Sequence, residues 1–70
     1  MLQEIYFFVR ESPEGGYEAE ALNHSIHTDA DTLEELRTMI KDAVTCHFKD
    51  DGRPGIIRLH FVREEMLVVA

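Results

Sequence analysis

Four histidines and a single cysteine are the side chains best suited to hold a metal or attack a carbonyl, and their spacing argues against both. Cys46 and His47 are neighbours in a segment of helical period, where adjacent side chains diverge by about 100°. His24 and His27 lie three apart in a segment read as extended, so they face opposite sides of it. No Cys-x-x-Cys pair and no helical pairing of histidines occurs, so no metal is expected, and the histidines read as surface or half-buried groups. As nucleophiles, Cys46 with His47, or Ser25 among His24 and His27, lack a third group to orient the base and a recognisable oxyanion loop.

Gly15-Gly16 follows an acid, lacks a nearby lysine and leads into a strand, whereas a phosphate-binding loop opens a helix; it reads as a turn. The acid pairs Glu34-Glu35, Asp50-Asp51 and Glu64-Glu65 stand where a helix start and loop solvation account for them. The expectation is a non-enzymatic protein with no catalytic residue and no cofactor.

The elements that position these residues follow from periodicity. Between Leu2 and Arg10, Ile5, Phe7 and Val9 fall on one face of a strand and Tyr6 and Phe8 on the other. Ser12-Pro13-Glu14-Gly15-Gly16 supplies a fixed φ and two residues that tolerate positive φ, which reverses the chain. Tyr17, Ala19 and Ala21 then alternate with Glu18 and Glu20, a second strand with its acids outward. Asn23 and Ser25 suit a turn, and Ile26-His27-Thr28 a brief third strand.

Thr32 is a good N-cap, with Glu35 placed to return a bond to it. Leu33, Leu36, Met39, Ile40, Ala43, Val44 and Phe48 form a stripe of helical spacing. The run from Asp50 to Gly55 ends the helix, with glycine available for a left-handed cap. Ile57, Leu59 and Phe61 mark a last strand, and Met66–Ala70 either continue it or turn back. The fold class is α+β: an antiparallel sheet of three to four strands with one helix packed on one face, a ββ(β)αβ unit forming a single domain over residues 1–70.

Seventy residues bury roughly 60% of the surface their unfolded chain exposes, so a second copy is a natural way to complete the core. The hydrophobic content of 44% excludes a disordered tail, and fourteen acids against seven bases give a net charge of −7. That charge disfavours nucleic acid and attracts basic protein surfaces. One cysteine forms no internal disulfide, no apolar run approaches a bilayer span, and the N-terminus has no signal-peptide pattern; a cytoplasmic protein is expected.

If Ile5, Phe7 and Val9 meet the helix, Tyr6 and Phe8 point away from it, beside Glu18, Glu20, Arg58, His60 and Val62. Aromatic side chains rimmed by charge make an interface patch, so Tyr6, Phe8, Glu18, Glu20 and Val62 are the expected partner-binding residues. An exposed strand edge offers a second docking route.

Glu14-Gly15-Gly16-Tyr17-Glu18-Ala19, then Thr28 and Asp31-Thr32-Leu33-Glu34-Glu35-Leu36, resemble the N-terminal domain of HicB-like antitoxins over roughly residues 4–48. Where that family commonly has a Pro-Gly turn, this chain reads Ala21-Leu22-Asn23-His24-Ser25. The resemblance implies a degraded RNase H-like fold without its catalytic carboxylates, and a role in binding and masking a small basic RNA-cleaving toxin of the HicA type. It is to a short, stand-alone member without the DNA-binding segment of full-length antitoxins, so autoregulation on DNA is not carried over.

The reading is therefore an antitoxin-like interaction module that forms a homo-oligomer, a dimer. Its rival is a self-contained homo-oligomer that binds a small molecule, or acts as a small enzyme, at an intersubunit cleft. A third reading, RNA on the open sheet, requires Arg10, Arg58 and Arg63 to form a basic strip against the net charge.

Overall fold

A computed structural model describes residues 3–48 and 52–69 of the chain. Strand β1 (Glu4–Glu11), β2 (Tyr17–Ala21) and β3 (His27–Ala30) precede helix α1 (Leu33–His47) and strand β4 (Ile56–Phe61). The four strands form one sheet in the order β3-β2-β1-β4. The β1–β2 and β2–β3 pairs are antiparallel, as hairpin connections dictate, but β4 pairs parallel to β1. The sheet is therefore mixed, a correction to the all-antiparallel expectation. Its physical reason is the helical crossover, which returns the chain to the far edge running in the direction of β1.

The first turn explains why two glycines stand together. Gly15 and Gly16 have φ of 98° and 82°, the left-handed region that side chains disfavour. At Gly16 a Cβ would also sit 2.6 Å from the Ala30 carbonyl oxygen, so the hairpin packs closely against the end of β3. The backbone N–H of Gly15 donates to the Ser12 carbonyl at 3.0 Å, and that of Ser12 to the Gly16 carbonyl at 2.9 Å. The second turn is made by Asn23 at φ 66°, where a short polar side chain tolerates what other residues do not.

Thr32 caps α1 as expected, its Oγ1 accepting from the Glu35 N–H at 3.1 Å. The return bond from the Thr32 N–H to the Glu35 carboxylate does not form among the described residues. At the other end no glycine cap is used: Phe48 turns extended at φ −104°, and its N–H closes on the Val44 carbonyl. Asp50 and Asp51, part of the expected terminator, lie outside the described residues, as do Leu2 at the start of the first strand and Ala70 in the tail.

The core lies between α1 and one sheet face. Ile5, Phe7 and Val9 from β1 and Ala19 and Ala21 from β2 meet Leu36, Ile40 and Val44. Full burial of side chains such as Phe7 and Leu36 contributes about 1.5–3 kcal/mol each. Met39, expected on the packed stripe, is exposed, because α1 lies over β3 and β2 and its stripe is narrower than the apolar spacing suggests. On the same face Ile57 and Leu59 of β4 are only half-buried and Phe61 is exposed. The tail Val62–Val69 neither continues β4 within the chain nor folds back. It has no regular structure, and Met66, Leu67, Val68 and Val69 are 80–93% exposed.

Candidate functional site

The sheet face opposite α1 collects the side chains expected to bind a partner. Alternation along β1 sends Tyr6 and Phe8 to this face, at 36% and 42% exposure, while Phe7 between them is fully buried. Strand register then assembles rows across the sheet, since directly opposed residues share a face. Glu20 and His60 flank Phe8 on either side, and His27 lies beyond Glu20. Arg10 faces Glu18, with Asp29 beyond it, and Tyr6 faces Arg58. Val62 follows β4 and is tied to β1 by its N–H, which donates to the Val9 carbonyl at 2.7 Å. It shares a shallow depression with Phe8, Arg10, Glu18, Glu20 and His27. All five sequence-selected residues, Tyr6, Phe8, Glu18, Glu20 and Val62, thus come together on one surface.

Two features organise that surface. The His60 ring sits between the aromatic rings of β1, with centroids 5.3 Å from Tyr6 and 5.8 Å from Phe8, so a continuous aromatic strip crosses from β1 to β4. Charge is arranged around it. Arg10 Nε donates to Glu18 Oε1 at 3.3 Å, and Arg58 Nε pairs with Glu4 Oε1, which also accepts a long bond from the Tyr6 hydroxyl. The hydrogen bond to Glu4, and then its negative charge, hold the Arg58 guanidinium above its ordinary pKa. Two arginines of the supposed basic strip are therefore each committed to a carboxylate, while Glu20 and Asp29 leave the β2–β3 half acidic and exposed.

Comparison with known proteins places the chain in a family. It is 46% identical over 67 residues to a UPF0150 protein of Thermotoga maritima, covering 96% of this chain and 94% of that one. It is 55% identical over 49 residues to a UPF0150 protein of Archaeoglobus fulgidus, covering 70% and 74% respectively. The chain belongs to the UPF0150 family. No family model matches it, and no solved structure does.

In this UPF0150 chain His24 stands in the β2–β3 turn beside Asn23 and not in the extended segment expected for it, so its separation from His27 comes from the turn and not from strand alternation. His27 lies on the open face, whereas His24 packs at the end of α1. There the structure makes a contact that sequence spacing did not reveal. The His24 ring lies 5.9 Å from His47 and 5.0 Å from Phe48, an edge-on cluster joining the β2–β3 turn to the helix end. Aromatic character at both segment ends was its only signal in the sequence. Among the described residues no group of three or more His, Cys, Asp or Glu side chains is placed to hold a metal ion. Cys46 is free and exposed, and the His47 ring is engaged with Phe48. No helix among the described residues is long and apolar enough to cross a membrane.

Proposed function

We propose that this UPF0150 chain is a non-enzymatic, antitoxin-like interaction module that acts as a symmetric dimer, with an open sheet face that binds and masks a small basic RNA-cleaving protein. The observation that carries this reading is the exposed aromatic strip Tyr6–His60–Phe8 with Val62 beside it, bordered by Glu18 and Glu20 on a chain of net charge −7. Buried aromatic anchors supply most of the energy of a protein interface, and acids around them steer a basic partner and suppress acidic ones. The likeness of residues 14–36 to HicB-like antitoxins supports the choice of a ribonuclease as that partner. Internal pairing of Arg10 and Arg58 supports a protein partner over RNA.

The test is RNA cleavage by a small basic ribonuclease of the HicA type, titrated with this chain. Stoichiometric suppression that weakens as salt rises, and that the Tyr6→Ala/Phe8→Ala variant loses by at least about tenfold in affinity, is the expected result. Full cleavage at every ratio contradicts it. A second reading, a small-molecule site, is favoured by one observation: an open groove of about 840 Å³ between the β1–β2 turn and Phe61–Glu64.

A further inference from the structure

The tail is the least satisfied part of the molecule. Four consecutive large apolar residues, Met66 to Val69, stand in solvent beyond the charged spacer Arg63-Glu64-Glu65. The Cα radius of gyration of 14.0 Å exceeds the roughly 11 Å expected of a compact chain this long, and the longest dimension is 55 Å against 22 and 18 Å. At the same time β4 is an edge strand, its outer backbone groups unpaired by the sheet and its Leu59 and Phe61 incompletely covered by α1. An apolar arm and an unfinished edge on one chain are complementary, and the arm carries apolar side chains toward both faces, so it can match apolar neighbours on either side of the sheet.

We propose that residues 59–69 are a self-complementary strand through which two copies of this chain pair antiparallel about a two-fold axis at Glu64, each arm completing the β4 edge of the other. A two-fold axis normal to the sheet keeps each residue on its own face, so only pairings whose residue numbers sum to an even value are allowed. Centring on Glu64 sets Leu67 opposite the partner's Phe61, and Val69 opposite the partner's Leu59, on the helix side. On the open side Met66 meets the partner's Val62, and Val68 the partner's His60. Between them Arg63 faces the partner's Glu65 twice by symmetry.

Moving the axis by one residue to Arg63 opposes Arg63 to itself and sets Glu65 against Phe61. Moving it to Glu65 opposes that acid to itself and Arg63 to Leu67. The Glu64 centre alone matches apolar with apolar and base with acid; its one cost is Glu64 facing itself. Seven apolar side chains of each copy, Leu59, Phe61, Val62 and Met66 to Val69, lie along the seam, and the two Arg63–Glu65 pairs match it by charge. The two sheets become one, and the partner's Met66 and Val68 lengthen the aromatic strip of the open face.

This inference rests on the self-association part of the proposed function and is tested by sedimentation equilibrium of the full chain. Wild type is expected at twice the 8.1 kDa of one chain. Arg63→Glu and Glu65→Arg should each weaken the dimer about tenfold, and the double reversal should restore it. Leu67→Asp should give a monomer, and Glu64→Gln should tighten the dimer. These side chains are exposed in the single chain, so far-UV circular dichroism should be unchanged throughout. A dimer indifferent to all four variants, or a double reversal weaker than either single change, overturns the arm pairing and leaves self-association standing. A wild-type monomer at millimolar concentration overturns both.

Discussion

The two faces of β1 differ sharply although they alternate along the same eight residues. Ile5, Phe7 and Val9 are sealed under α1 with at most 2% exposure, whereas Tyr6 and Phe8 carry comparable bulk into solvent. On the helix side, large residues are packed to exclude water and set stability. On the open side, similar residues are held in register by cross-strand neighbours and keep 36% and 42% of their surface in solvent. The lesson is that aromatic content on this strand is divided by alternation, one face sealed into the core and the other left as the surface proposed for recognition.

Substitution at adjacent positions breaks that comparison most severely. Phe7→Ala should cost about 3–5 kcal/mol, by lost transfer energy and a cavity in the core, and Phe8→Ala under about 1 kcal/mol, both measured by urea unfolding. Equal costs would mean the faces are not distinct. The next largest effect concerns the hairpin that fixes which residues face which way. Gly16→Ala should destabilise by about 1–3 kcal/mol, because positive φ and the approach of the Ala30 carbonyl both oppose a side chain, while Gly15→Ala, with open space around it, should cost less.

On the sealed face the Thr28 hydroxyl is buried without a hydrogen-bond partner among the described residues. Thr28→Val should therefore stabilise by about 1 kcal/mol, seen as a higher midpoint with unchanged slope. The smallest effect belongs to the open face. A double-mutant cycle on Arg10 and Glu18 should return a coupling below about 1 kcal/mol that fades with salt, since the pair is partly solvated.

Much of this arrangement was legible in the residues themselves. Period-two alternation in 5–9 and 17–21 assigned faces that the register reproduces, and Thr32 marked the helix start to the residue. What the sequence could not disclose depends on contacts between distant segments. Nothing local in Ile57-Arg58-Leu59 distinguishes a parallel from an antiparallel partner, because the direction comes from the crossover. The placement of α1 over β3 and β2, which leaves Met39 outside, depends on how that crossover packs. The His24–His47–Phe48 cluster joins positions more than twenty residues apart. Phe48 ends the helix through its own extended backbone, where glycine chemistry pointed a few residues further on. At the open face Tyr6, Phe8, Glu18 and Glu20 share a surface because a strand's alternation is a geometric rule, and Val62 joins them just past the end of β4; the His60 ring that links Tyr6 to Phe8 needed the parallel register, which was not legible.

Partner binding on the open face is tested by amide chemical-shift mapping of this chain by NMR as a small basic ribonuclease of the HicA type is added. Perturbations centred on Tyr6, Phe8, Glu18, Glu20, His60 and Val62 are expected. Shifts confined to the solvent side of α1, or none at saturating ribonuclease, would contradict it.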